Sequence, residues 1–162
     1  MSSPDVRSAY ARWAGAVTLL TIADGRDDIG ATISAFCPVS VDPPLVLVSL
    51  MAKSYLSELL GRDAQRFAVT MLGAGQRMVA GRFAAEGRPS ARLMLDDVPH
   101  RRGAISGALI PEEGLAAIEC ATEQSSAAGD HLLVVARVTA VSYVSDAGSP
   151  LIRFRGRYLL PT

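Results

Sequence analysis

Gly129-Asp130-His131 sets an imidazole beside a carboxylate at the entry to a strand-like run. A histidine so placed can orient a ligand or shuttle a proton. Lys53-Ser54 opens a helix-like segment, where a full charge, a hydroxyl and free backbone N–H groups could hold a phosphate. Gly30-Ala31-Thr32-Ile33-Ser34-Ala35 is a β-like run of small and hydroxylated residues. Small side chains let a flat ligand approach the backbone and use its N–H groups as donors. On a strand, Thr32 and Ser34 would share one face. Arg155-Gly156-Arg157-Tyr158, near the end of the chain, could line a cleft with guanidinium and phenol groups. Each pattern also has a plain structural reading: a solvated loop histidine, a capped helix, a hairpin on a core, and the polar face of an edge strand.

Other chemistries are poorly served. Gly73-Ala74-Gly75-Gln76-Arg77-Met78 follows a strand-like run and opens a helix, with Asp96 and Asp97 about twenty residues on. Met78 stands where a dinucleotide-binding fingerprint needs its third glycine for close helix–strand packing, and a plain strand–turn–helix is favoured. No Gly-x-Ser-x-Gly elbow supports a nucleophilic triad. Cys37 and Cys120 lack metal-ligand spacing and sit in apolar runs, so both read as buried free thiols and no metal site is expected. Lys+Arg and Asp+Glu both number 16, which leaves no net basic footprint for nucleic acid. The first residues, Met1-Ser2-Ser3-Pro4-Asp5, lack the basic and apolar regions of a signal peptide, and the longest apolar run, Leu45 to Met51, is too short to cross a bilayer. The expectation is a cytoplasmic protein without membrane or nucleic-acid partners.

The elements that must position these groups follow from periodicity. A chain of 162 residues, 49% hydrophobic, suits one domain spanning 1–162. Val6, Tyr10 and Trp13 recur at helical spacing, so residues 4–13 read as a helix beginning near Pro4. Residues 16–22 and 29–36 read as an antiparallel pair around Asp24-Gly25-Arg26-Asp27-Asp28. Pro38 and Pro43-Pro44 punctuate a link into a strand over 45–51. Ser54 caps a helix to Leu60 that buries Leu56, Leu59 and Leu60. A strand over 66–72 precedes a helix over 76–85, with Met78, Val79, Arg82 and Phe83 on one stripe. Residues 86–113, with Arg88-Pro89, Asp96-Asp97 and Pro99-His100-Arg101-Arg102-Gly103, read as a loop-rich excursion of the kind that is functional or mobile. Strands over 115–123 and 131–142 flank a polar loop, and a last strand covers 151–158. Six or seven strands with two or three short helices favour a mainly β, mostly antiparallel barrel with inserted helices.

The order of these segments carries more than any one of them. Ala31-Thr32-Ile33-Ser34-Ala35-Phe36 is followed by Ser40-Val41-Asp42-Pro43-Pro44-Leu45-Val46-Leu47-Val48, then Ser54 at a helix start, Arg66-Phe67-Ala68-Val69, Gln76, Arg82-Phe83, Glu119-Cys120, Gly129-Asp130-His131 and Arg155-Gly156-Arg157-Tyr158. In this the chain resembles the flavin reductase family, the short-chain NAD(P)H:flavin oxidoreductases that serve two-component monooxygenases. The resemblance runs from about Trp13 to Tyr158 and is most specific over 31–48 and 129–131.

The resemblance implies a split β-barrel that binds FMN or FAD, takes electrons from NADH or NADPH, and forms a homodimer. It implies reduced flavin for a partner monooxygenase. It assigns Ala31, Thr32, Ile33, Ser34 and Ala35 to the isoalloxazine, and Ser49, Leu50, Lys53 and Ser54 to the ribityl-phosphate side. Arg82 and Phe83 would close over the flavin. His131, beside Asp130, would lie where the nicotinamide docks, with Tyr158 on the same side. Hydride transfer between two cofactors needs no general base, which agrees with the lack of a conspicuous catalytic constellation.

Three positions depart from the family pattern: Thr70 replaces an Asn, Leu56 replaces a Thr, and Ala14-Gly15-Ala16 replaces Thr-Gly-Val. The first two remove hydrogen-bonding groups near the flavin, for which Ser57 or Thr70 could compensate. They motivate two alternatives: a flavin-binding barrel without reductase activity, and a cofactor-free structural or interaction barrel.

Overall fold

A computed structural model of the chain describes residues 5–25 and 27–161. Pro4 and Arg26, part of the expected helix start and hairpin turn, lie outside the described residues. The order is α1 (Val6–Tyr10), β1 (Gly15–Ala16), β2 (Thr18–Asp24), β3 (Asp27–Ile33), β4 (Phe36–Val41), β5 (Pro44–Met51), α2 (Tyr55–Leu60) and β6 (Arg66–Met71). A 3-10 turn over Ala74–Gln76 leads to α3 (Arg77–Ala84) and α4 (Ala91–Met94). Then come β7 (His100–Arg102), β8 (Leu109–Pro111), β9 (Ala116–Ala128), β10 (His131–Val144), β11 (Ile152–Phe154) and β12 (Arg157–Leu159).

Seven strands form one antiparallel sheet in the order β3-β2-β6-β9-β10-β5-β4. Its two edges, β3 and β4, are consecutive in the chain and separated only by Ser34 and Ala35. Two residues reach about 7 Å at most, plus the bond into the next strand. The sheet must therefore curl until its edges meet. The result is a split barrel whose seam is spanned by Ser34-Ala35. The Ser49 N–H donates to the Ala35 carbonyl at 3.0 Å, which continues the β4–β5 ladder up to the seam. The antiparallel pairing leaves no doubly wound parallel sheet for the Gly73-Ala74-Gly75 turn to serve.

Alternation along β2 explains why the core has two parts. Leu20 and Ile22 point into the barrel with Val46, Val48, Phe67, Val134 and the α2 leucines. Leu19, with Val17 just ahead of the strand, faces the other way, onto Val79, Ala80 and Phe83 of α3 and Leu95 beyond α4. Ser54 caps α2, its Oγ accepting the Ser57 N–H at 3.1 Å, and Leu56, Leu59 and Leu60 are buried.

Several sequence expectations are corrected. The helix over 4–13 is only Val6–Tyr10, and its apolar stripe is not buried: Tyr10 and Trp13 are 75% and 83% exposed. The strand over 29–36 ends at Ile33, and the Pro-marked link is itself the edge strand β4, with Pro38 beside an irregularity in its pairing. An edge strand tolerates the missing N–H. On α3 the inward stripe is Val79, Ala80 and Phe83, whereas Met78 is exposed. The polar loop over 124–130 is mostly strand: β9 runs to Ala128 and turns through Gly129 (φ +60°) and Asp130 into His131. The strand over 151–158 is a hairpin, because Arg155 and Gly156 both take positive φ and Ile152 pairs with Leu159. Cys120 is buried, but Cys37 is exposed on β4.

Residues 86–113 are built and pinned rather than a plain loop. Asp28, at the start of β3, is buried and receives both Arg92 (2.9 Å) and Arg102 (2.8 Å). The Arg102 hydrogen bond, more than burial opposes it, holds the Asp28 carboxyl below the usual carboxylate range. Glu119 of β9 accepts the N–H of Ile105 and both the N–H and the hydroxyl of Ser106. Burial pushes its carboxyl up, and these donors more than offset the push. Among the described residues no helix is long and apolar enough to cross a membrane.

Candidate functional site

Four chain segments converge on the barrel seam. The end of β3 and its link supply Ala31, Thr32, Ile33, Ser34 and Ala35; the end of β5 supplies Ser49, Leu50 and Met51. The start of α2 adds Ser54 and Leu56, and the first residue of β10 adds His131. Together with Glu86 and Arg88 they line a cleft of about 470 Å³. That is the size of an ordinary small-molecule or cofactor site.

The geometry follows from register. His131 pairs with Met51 across β10–β5 and with Ala128 across the hairpin, which turns it toward the end of β5. Its Nδ1 lies 2.7 Å from Asp130 Oδ1. That hydrogen bond holds the Asp130 carboxyl below its ordinary range, while the Asp130 side chain itself is 94% exposed. On β3, the Gly30 carbonyl accepts from Arg88 Nε at 3.1 Å, so it points away from β2 and toward the cleft. Strand alternation turns the backbone groups of Thr32 the same way. The Thr32 hydroxyl is already used, donating to the Ala80 carbonyl at 2.6 Å. Arg88 is held twice, since Nη1 also donates to the Ala85 carbonyl at 2.8 Å. It is therefore a positioned cation on the cleft wall.

The remaining expected residues lie around this cleft at different depths. Lys53 lines an adjoining cavity of about 520 Å³ that meets the main cleft at Ser54. Phe83 is fully buried and forms the back of a further cavity of about 260 Å³ shared with Thr32, Ser34, Arg88 and Arg153. Arg82 is not brought to the cleft. Its guanidinium takes both oxygens of Asp97, at 2.5 and 2.8 Å, and the Met94 carbonyl. Tyr158 is half-buried beneath Arg153, whose guanidinium lies 5.7 Å from the ring centroid. Tyr158 is therefore not brought to the main cleft and meets only the smaller cavity, through Arg153. Thr70 is buried on β6 between Leu19 and Ala117, away from the cleft lining, whereas Leu56 forms part of its apolar wall. Ser57 donates to the Met51 carbonyl at 2.6 Å.

Glu86 and Arg88 were not among the sequence candidates. Arg88-Pro89 read only as loop punctuation, and a cation pinned by two carbonyls leaves no local signature. The available signal was one of four arginines in the 86–113 excursion, which is weak on its own.

Residues 10–159 match the family described as the flavin reductase like domain. An NADH-dependent FMN reductase from Streptomyces nodosus subsp. asukaensis is 34% identical over 145 residues, covering 88% of this chain and 76% of that protein. The reductase component of 4-hydroxyphenylacetate 3-monooxygenase from Thermus thermophilus is 32% identical over 152 residues, covering 94% of this chain and 92% of that protein. Among solved structures, the NADH:FAD oxidoreductase of Streptomyces globisporus, in complex with NAD and FAD fragments, superposes with a TM-score of 0.85 at 28% identity, covering 95% of this chain and 89% of that chain.

Proposed function

The chain belongs to the flavin reductase-like family, and on that premise we propose that it is an NAD(P)H:flavin oxidoreductase that reduces FMN or FAD and supplies the reduced flavin to a partner monooxygenase. One observation carries the reading for this chain: the small-residue edge of β3, the fixed Arg88 cation and His131 meet in one cleft.

The residues present fit a flavin. Ala31, Ser34 and Ala35 leave room for a flat ring against the backbone edge, and Leu50, Met51 and Leu56 offer it an apolar wall. Such a wall excludes water from the reacting atoms. Arg88, with Lys53 beyond Ser54, balances the negative charge of a phosphate or of the reduced ring. When bound, flavin and nicotinamide supply the redox chemistry, a hydride passing from nicotinamide C4 to flavin N5. His131, oriented by Asp130, lines the same cleft from the start of β10, where it positions the nicotinamide. The pair needs no proton transfer for this role.

We place the single domain in the cytoplasm as a homodimer. The exposed Tyr10 and Trp13, and the free thiols of Cys37 and Cys120, support this. The direct test of the activity is anaerobic: protein with FMN or FAD is titrated with NADH and NADPH while the flavin absorbance band is followed. Catalytic bleaching is expected. Flavin that binds but stays oxidised would make the chain a non-reductase flavoprotein, and no binding would leave a barrel without a cofactor.

A further inference from the structure

Beyond the main cleft, a second cavity of about 410 Å³ opens between α2 and residues 86–89. It shares Ser54, Leu56, Glu86 and Arg88 with the cleft, so the two form one continuous groove. Its far walls are Asp27, Tyr55, Gly87 and Pro89. Tyr55 is fixed in place, its hydroxyl donating to Asp24 Oδ2 at 2.6 Å. Asp28 also borders this cavity, but Arg92 and Arg102 already neutralise it.

We propose that this chain prefers FAD to FMN, with the AMP half of FAD in the cavity between Tyr55 and Gly87-Pro89. The inference rests on the flavin reading above and goes one step past it. Charge sets the direction. The ring belongs at the small, apolar end around Ser34, Ala35 and Leu50, and the phosphates belong at the end where Arg88 stands. FMN ends at that point. FAD continues, and the groove continues with it. A tyrosine ring offers an adenine a stacking face, and such base–aromatic stacking is sequence-tolerant and strong. Asp27 already accepts the Asp28 N–H through Oδ1 at 2.8 Å, and its second oxygen can accept a ribose hydroxyl. The cavity behind Lys53 is a poorer continuation, because it meets the cleft only at Ser54, whereas the cavity beside Gly87-Pro89 shares four lining residues with it. Glu86 opposes a phosphate from the same wall that carries Arg88, so removing its charge favours FMN and FAD alike over riboflavin.

The test is a set of fluorescence-quenching titrations with FAD, FMN and riboflavin on the wild type, Tyr55→Ala, Tyr55→Phe and Glu86→Gln, with thermal melts as the control for folding. FAD should bind the wild type about tenfold more tightly than FMN, a difference of roughly 1.4 kcal/mol. Tyr55→Ala should collapse the FAD:FMN ratio toward one, Tyr55→Phe should keep most of it because the ring remains, and Glu86→Gln should tighten both FMN and FAD relative to riboflavin. Equal affinity for FMN and FAD in the wild type, or a Tyr55→Ala loss shared equally by both, would overturn the proposal and leave the flavin reading standing. If none of the three flavins binds, the flavin reading falls and the proposal falls with it.

Discussion

The ring of Phe83 lies on the bare backbone of Gly30: a Cβ at Gly30 would stand 2.6 Å from Phe83 Cε1 and 3.3 Å from the Leu20 carbonyl. Phe83 is fully buried, so its ring has nowhere to retreat. The contact locks the C-terminal end of α3 onto β3, immediately before the segment that carries Arg88. Gly30→Ala should therefore cost about 1–3 kcal/mol of stability through overpacking. Phe83→Ala should cost about 3–5 kcal/mol. Urea melts measure both, and Gly30→Ala should also weaken flavin binding because Arg88 loses its seat on the Gly30 carbonyl.

Asp28 makes stability depend on acid. Its folded-state carboxyl titrates lower than the unfolded one, chiefly because of Arg102. The stabilisation is thus complete above the ordinary carboxylate range, about pH 4, and is lost as the pH falls through the depressed value. Both arginines are about half exposed, which limits the strength of the pairs. Asp28→Asn should lower stability at pH 7 by about 1–3 kcal/mol. Denaturant melts from pH 7 downward should show the two proteins converging at strongly acid pH; a constant gap would disprove the linkage.

The two thiols should differ sharply. Burial pushes the Cys120 thiol up to about 12, while Cys37 is exposed on β4. The thiolate is the reactive form. A disulfide reagent should titrate Cys37 in the native protein and Cys120 only after unfolding. Native modification that persists in Cys37→Ser would contradict this placement.

His131→Ala should lower kcat/KM for the nicotinamide donor by about tenfold, equivalent to roughly 1.4 kcal/mol. Flavin affinity should change much less, since the imidazole belongs to the start of β10 and not to the small-residue β3 edge. Steady-state kinetics with NADH varied, beside a flavin titration, separates the two effects. Equal losses in both would move His131 from the donor to the flavin.

Local patterns were legible where one element decides its own conformation. The Ser54 cap, the α2 leucines and the β2 and β5 runs follow from capping chemistry and periodicity. The segment over 31–35 could be singled out because small and hydroxylated residues in a β run are unusual. What it spans could not be read, because the seam exists only once the seven strands have curled. Arg82 and Phe83 show the same limit at shorter range. Neighbours on a helix face about 100° apart, so one turns to Asp97 and the other to Gly30. The hairpin at Arg155-Gly156 was hidden because a non-glycine residue takes positive φ there. The order of residues 86–113 depends on Glu119, which lies outside that segment, and on Asp28, which is more than sixty residues from the arginines it holds.

The central claim is that flavin sits at the barrel seam, and a cleft-filling substitution tests it most directly. Ser34 is exposed, so Ser34→Trp should fill the cleft without disturbing the core. Flavin fluorescence is titrated against the wild type and Ser34→Trp, with matched melts. The account predicts saturable quenching by the wild type and its loss in Ser34→Trp at unchanged melting temperature. Undiminished binding by a folded Ser34→Trp protein would place the flavin elsewhere.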